Sequence, residues 1–226
     1  HVRSRRQRQM CIRDRNKFSD AEIASVYKAI RERRDMRHFL PTPLEEGQLA
    51  RFIQAAHMAP SVGLMQPWRF IRITDTGLRQ AIQQHVESER LATADALEQR
   101  SSEFMRLKVE GILTCAEVLV VGLTDHREKY IFGRRTMPEM DLASASCAIQ
   151  NMWLAARAEG IAMGWVSLFD PETLRLMCKM PEGSQPIAIL CLGQTPEFYP
   201  APMLEIEAWD KRKAIADICF ENAWGG

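Results

Sequence analysis

At 226 residues, with 46% hydrophobic and 26% charged residues, the chain has the make-up of a globular protein large enough to bury a sizeable core. Its formal net charge of +1 hides an asymmetry: residues 1–16 carry six arginines and one acid, and the remainder holds 24 basic and 28 acidic residues, which argues against general nucleic-acid binding. No apolar run is long enough for a bilayer, and the six scattered cysteines show neither a CxxC pair nor metal-ligand spacing, so no membrane, metal or disulfide role is expected and a reducing cytoplasm is the default.

In chain order, residues 1–16 are rich in Arg and Gln, lack the apolar core of a secretory signal and contain a run, 9–15, that resembles translated adapter sequence. This tail is set aside from fold reasoning and is expected to be disordered; residues 17–226 read as a single domain. Ser19 or Asp20 caps a helix whose apolar stripe is Ile23, Val26, Tyr27 and Ile30. A second helix is predicted over 45–58, ending before the turn-rich loop 59–63. Residues 68–74 alternate apolar and polar and predict a strand; a helix over 77–86 follows. Residues 87–105 are too polar for a core helix and read as a helical surface excursion, either a lid (87–113) or a plain solvated connection. A central strand is predicted over 117–124, a long helix capped by Asp141 over 141–159, and a strand over 161–167. A helix opened by Asp170 over 171–180, a buried strand over 186–193 and an amphipathic helix over 205–223 complete the chain. Helices and strands mix without regular βαβ alternation, so the fold class is α+β, with helices layered on a mixed, mostly antiparallel sheet.

Nucleotide-loop, zincin and nucleophile-elbow motifs are absent, and the five histidines are isolated in sequence; His57 and His85 are treated as non-functional. The informative stretches are RRDMRHF (33–39), PSVGLMQPWRF (60–70), GWVS (164–167) and the basic triplet Lys211-Arg212-Lys213. Arginine presents a fixed fork of donors suited to phosphate oxygens, although a basic helix end also complements the helix dipole. Asp35 stands among these cations, where an acid stays ionised and can serve as a base toward a bound substrate. A flavin mononucleotide site needs cations for the phosphate, amide or hydroxyl groups for the pyrimidine edge and an apolar wall for the rings, and these stretches can supply all three.

These motifs, in this order from about Phe18 to the C-terminus, resemble the nitroreductase superfamily of flavoproteins. That family has Arg-Arg-Ser-x-Arg after its first helix and Pro-Ser-x-x-Asn-x-Gln-Pro-Trp before its first strand; here Asp35 replaces the serine and Leu64 the asparagine. Both departures resemble one specialised branch, in which reduced FMN is substrate rather than recycled cofactor. With O2 it is fragmented to 5,6-dimethylbenzimidazole, the lower ligand of cobalamin, and erythrose 4-phosphate, with no metal required. The resemblance implies a domain-swapped homodimer with FMN at its interface, and a flavin reductase is a possible supplier of FMNH2.

It also implies roles. Arg33, Arg34 and Arg37 hold the phosphate and ribityl chain, with Lys211 or Arg212 contributing from the partner subunit. Ser61 and Gln66 hydrogen-bond the flavin, Met36 and Leu107 line it, and the 87–113 segment closes over it. Asp35 takes a proton as the ribityl C1′ bond breaks, and Ser167 lies close to the ring; these two are the candidate catalytic residues. The competing readings are an NAD(P)H-dependent FMN nitroreductase or flavin reductase, which keeps its flavin, and a non-catalytic FMN-binding protein.

Overall fold

The structure, a computed structural model, describes residues 16–225; the expectation for the tail falls on residues that, apart from Asn16, lie outside this range. The described chain divides between Arg33 and Arg34 into a short helical unit and a sheet-bearing unit. The first unit holds α1 (Asp20–Glu32). Its N-terminus is a full capping box, with Ser19 Oγ accepting from the Glu22 amide and the Glu22 carboxylate accepting from the Ser19 amide.

The second unit is built on four antiparallel strands: β1 (Trp68–Arg72), β2 (Glu117–Leu123), β3 (Ala162–Val166) and β4 (Gln185–Gly193), in the order β1-β2-β4-β3. An isolated parallel bridge from Asp35 to Met163 adds a short piece of chain outside β3, making the sheet mixed, as expected. The helices are α2 (Gln48–His57), α3 (Thr76–Ala96), α4 (Ser101–Arg106), α5 (Met140–Ala158), α6 (Pro171–Met177) and the single turn α7 (Met203–Ile206).

The strands read as nearly continuous apolar runs because both sheet faces are covered. Leu119, Val121, Leu190, Leu192 and Met163 project to one side, where Phe52 and Ala56 of α2 and Ala145, Ile149 and Met152 of α5 meet them. The alternate residues Val118, Val120, Ile189, Cys191 and Val166 face Ile82 and Val86 of α3 and Leu174 of α6. Buried antiparallel strands therefore lose the polar alternation that a one-sided sheet would show.

Four sequence expectations are corrected. The helix predicted over 45–58 starts only at Gln48, because Gly47 takes a left-handed turn (φ 78°) and Gln48 Oε1 accepts from the Glu45 amide. The helix predicted over 77–86 runs on to Ala96, so the polar residues that follow are its continuation; their helix-forming side chains outweigh their lack of an apolar face. Asp141 does not cap α5. It is buried in the first turn, where its Oδ2 accepts from Arg127 Nε at 2.8 Å and Arg134 Nε at 3.2 Å. The helix predicted over 205–223 is absent beyond Ile206. Asp210 takes the Lys211 amide proton and Glu205 that of Arg212, Ala208 sits at φ 55°, and Ile215, Ile218 and Trp224 are exposed. An amphipathic helix draws most of its stability from packing, and beyond Trp209 the apolar residues Ile215, Ile218 and Trp224 are left uncovered among the described residues.

Asp141→Asn leaves two arginines facing a neutral group in a buried setting. It is expected to lower unfolding free energy by about 3–5 kcal/mol in urea titration, with the far-ultraviolet spectrum of the folded state unchanged.

Candidate functional site

The segment that follows α1 lies along the outer edge of β3. The Met36 amide donates to the Met163 carbonyl at 3.0 Å, which seats the segment in the sheet. Asp35 Oδ1 accepts from the Trp165 amide at 2.9 Å, and Arg37 Nη2 donates to the Trp165 carbonyl at 2.8 Å and to Asp35 Oδ2 at 2.7 Å. Two side chains thus do for Trp165 what a neighbouring strand would do, satisfying both its outward backbone groups and closing an otherwise open sheet edge. The bracket demands glycine at position 164: a Cβ there would lie 2.1 Å from the Met36 carbonyl oxygen and 2.7 Å from Arg37 Nη1.

The other side of the segment is held by the chain beyond β4. Arg34 Nη2 donates to the Pro200 carbonyl at 3.0 Å, the Arg37 amide to the Tyr199 hydroxyl at 3.2 Å, and the Leu40 amide to the Gln194 carbonyl at 2.8 Å. From α5, Trp153 Nε1 donates to the Arg34 carbonyl at 3.1 Å. Arg37 is only 8% exposed, and its Nε and Nη1 are buried with no protein partner. The Asp35 side chain is 44% exposed, so its carboxylate can be reached from outside while it holds Arg37.

Ser167 follows β3 directly and is exposed. It lies two residues beyond the peptide that Asp35 grips, or roughly 7 Å along an extended chain, so the two candidate catalytic residues share one edge. Next to it, Leu168 joins a small apolar cluster with Phe104, Leu107, Leu97 and Trp209. Arg100 stacks on the Trp209 ring at 3.5 Å and donates to its carbonyl at 2.9 Å. The excursion between α3 and β2 is therefore packed beside Ser167 rather than solvated on all sides. Arg212, exposed, lies three residues past Trp209, with its amide on Glu205 Oε1.

Ser61 and Gln66 belong to a different place. They sit in the loop leading into β1, the opposite edge strand from β3. Ser61 Oγ accepts from the Gln66 amide at 3.0 Å, and Ser144 Oγ of α5 accepts from the Val62 amide at 3.0 Å. Gly63, Leu64 and Gln66 all take positive φ, and Leu64 is 78% exposed. An L-residue with a branched side chain in this region is strained, and such strain gathers at binding sites. Arg33 belongs to the helical unit, where it caps α1 through its amide on the Ala29 carbonyl.

Three of the described histidines have partners in space. His38 Nδ1 lies 2.6 Å from the Tyr199 hydroxyl, His57 Nδ1 takes the Trp68 indole proton at 3.4 Å, and His85 Nε2 accepts from the Asp170 amide at 2.9 Å. The His38–Tyr199 pair had no sequence signal, since 161 residues separate its members. Among the described residues no cluster of His, Cys, Asp and Glu could hold a metal ion, and no helix is long and apolar enough to cross a membrane.

An antiparallel sheet covered by helices, with an arginine–aspartate bracket on one edge and a Pro-Ser…Gln-Pro-Trp loop entering the other, is the frame of a nitroreductase-type protein. A sequence profile of the nitroreductase family matches residues 30–194, and the chain belongs to that family. It is 38% identical over 183 residues to the 5,6-dimethylbenzimidazole synthase of Rhodospirillum rubrum, a match that covers 80% of this chain and 87% of that protein. Among solved structures, the BluB-like flavoprotein of Clostridium difficile superposes with a TM-score of 0.67 at 17% identity, covering 86% of this chain and 97% of that one. The NADPH:FMN oxidoreductase of Vibrio harveyi gives a TM-score of 0.67 at 18% identity, covering 89% and 79%.

Gly164→Ala is expected to push the 34–37 segment off β3. The variant should lose about 1–3 kcal/mol of unfolding free energy in denaturant titration, and its flavin affinity should fall with it.

Proposed function

We propose that the chain catalyses the oxygen-dependent fragmentation of reduced FMN to 5,6-dimethylbenzimidazole and erythrose 4-phosphate. The observation that carries this reading is Asp35: a reachable carboxylate inside an arginine segment, on the same sheet edge as Ser167. Its support is the similarity over most of the chain to the R. rubrum synthase.

The residues present fit a phosphorylated flavin. Arg34 is half-buried at the bracket, and Arg37 has two buried donors to spare. These hold the phosphate and ribityl chain, with Met36 and Leu107 beside them and Arg212 reaching in from a partner. When bound, the reduced flavin supplies the electrons that dioxygen takes up. Asp35, oriented by Arg37 and the Trp165 amide, accepts a proton from the ribityl carbon next to the ring. The Ser167 hydroxyl donates or accepts at the ring. The apolar cluster of Phe104, Leu107 and Leu168 excludes water, which suppresses wasteful release of peroxide.

Two copies complete the site. The 34–37 segment and the Ser61–Gln66 loop flank opposite edge strands, which stand three strand spacings, roughly 14 Å, apart. Each flavin is therefore held by the β3 edge of one protomer and the 61–66 loop of its partner, in a homodimer with two equivalent sites. The exposed chain after Ile206, with Ile215, Ile218 and Trp224, is the segment exchanged between protomers.

The decisive experiment is a single turnover: the protein is loaded with FMN, reduced without oxygen and exposed to air, and the small molecules are separated and weighed by mass spectrometry. Dimethylbenzimidazole with loss of flavin is expected; intact oxidised FMN with peroxide, and turnover with NADPH, would establish a conventional reductase instead. In the same assay Asp35→Asn and Ser167→Gly should fold normally and lose about a hundredfold or more in product formation, and unchanged yield in either would remove its role. The shared site has its own test. Arg34→Ala and Gln66→Ala, each inactive alone, should recover about a quarter of the wild-type sites when unfolded and refolded as an equal mixture, because only mixed dimers contain an intact site.

A further inference from the structure

His38 and Tyr199 lie beside the bracket without being part of it. The Tyr199 oxygen accepts the Arg37 amide proton, so its own hydrogen is free for His38 Nδ1 at 2.6 Å. With Tyr199 as the donor in this contact, the neutral imidazole carries its proton on Nε2. The neighbouring residues Phe198 and Pro200 are anchored in turn, Phe198 beneath the Arg157 guanidinium at 4.1 Å and Pro200 by Arg34. The charged groups around the pair are Lys108, which acts on His38 from the end of the α4 excursion, and Arg37 and Asp35, which act on Tyr199 from the segment itself.

We propose that Tyr199 is a positioning residue for the flavin-binding edge, and that its hydrogen bond to His38 makes the placement of Asp35 and Arg37 depend on the protonation of His38. This rests on the flavin reading above. In the neutral state Tyr199 receives the Arg37 amide proton and gives its own to His38. A proton added to His38 Nδ1 turns that nitrogen into a donor. The Tyr199 oxygen must then accept from both sides, its own hydrogen loses its acceptor, and a third positive charge joins Arg37 and Lys108. Burial first, and the Lys108 charge second, hold the His38 imidazole below its ordinary value, which agrees with a neutral working state. The sign follows. A histidine whose folded value is depressed supports the native arrangement fully above about pH 6.5 and loses that support as pH falls through the folded value.

The test measures FMN affinity by quenching of flavin fluorescence between pH 5 and 8 in three proteins: wild type, Tyr199→Phe and His38→Asn. Asparagine restores an acceptor oxygen near the place of Nδ1 and takes no proton. Titration of the FMN phosphate is common to all three and cancels in their ratios. At pH 8, Tyr199→Phe should bind about tenfold more weakly than wild type, while His38→Asn recovers most of the affinity. Below about pH 6.5 wild type should weaken relative to His38→Asn, whose ratio to Tyr199→Phe stays constant. Wild-type affinity in Tyr199→Phe, or an acid limb that persists in His38→Asn, would overturn the proposal.

A second readout needs no flavin. The nitrogen resonances of His38 should report the Nε2–H tautomer in wild type and a midpoint that rises in Tyr199→Phe, where the donor to Nδ1 is gone. An unchanged midpoint overturns the pair. If the pair passes this test and FMN does not bind, the flavin reading fails instead. If FMN binds as expected and air yields no dimethylbenzimidazole, the fragmentation reading fails and the positioning role stands.

Discussion

The backbone of Trp165 is held from outside by two side chains, and much of the molecule is arranged so that this can happen. β3 is an edge strand, and an open edge leaves unpaired amides and carbonyls in a structure otherwise covered on both faces. Asp35 and Arg37 supply one acceptor and one donor at the spacing of a single peptide, and they pair with each other while doing so. The same contacts place a carboxylate and a guanidinium, one reachable and one buried, beside the residue that leads to Ser167. Closing the sheet and placing these candidate site residues are one event. Gly164 is the condition for it, since any side chain there would collide with the Met36 carbonyl.

The charges of the site are arranged in depth. Arg37 lies innermost with two donors buried and without protein partners, an expensive placement unless a ligand or the neighbouring carboxylate offsets it. Asp35 offsets part of it and remains accessible. His38 and Lys108 lie further out, where partial burial and the nearby cation both lower the imidazole below its ordinary value. The gradient runs from a fixed buried cation, through a carboxylate, to a titratable rim.

Local signals in the sequence were faithful where the physics is local. Ser19, one of the two expected caps, caps α1, Asp170 caps α6, and the apolar runs around Val118 and Ile189 are the central strands. The sequence misled where a distant partner decides. Asp141 looks like a cap, yet two arginines reach it from the loop before α5 and draw it into the interior. Residues 205–223 carry an amphipathic pattern, but without a covering surface their side chains take the backbone protons instead. The stretches RRDMRHF and PSVGLMQPW stood out as candidate site elements through their resemblance to a family. That they flank opposite sheet edges was not legible, because strand order is set by pairings that no single stretch contains. Tyr199 was invisible for the same reason.

The bracket also bears on how the chain folds. Its hydrogen bond from Arg37 to Trp165 spans 128 residues, and the bridge from Asp35 to Met163 closes a loop of the same size. Loop closure on that scale is slow, and it brings no reward until β4 has already paired with β3 to give the segment an edge to lie on. This edge closes the longest loop of any pairing in the sheet. A chain that has collapsed around β2 and β4 but has not seated residues 34–37 has a core and an open β3 edge, free to pair with another chain.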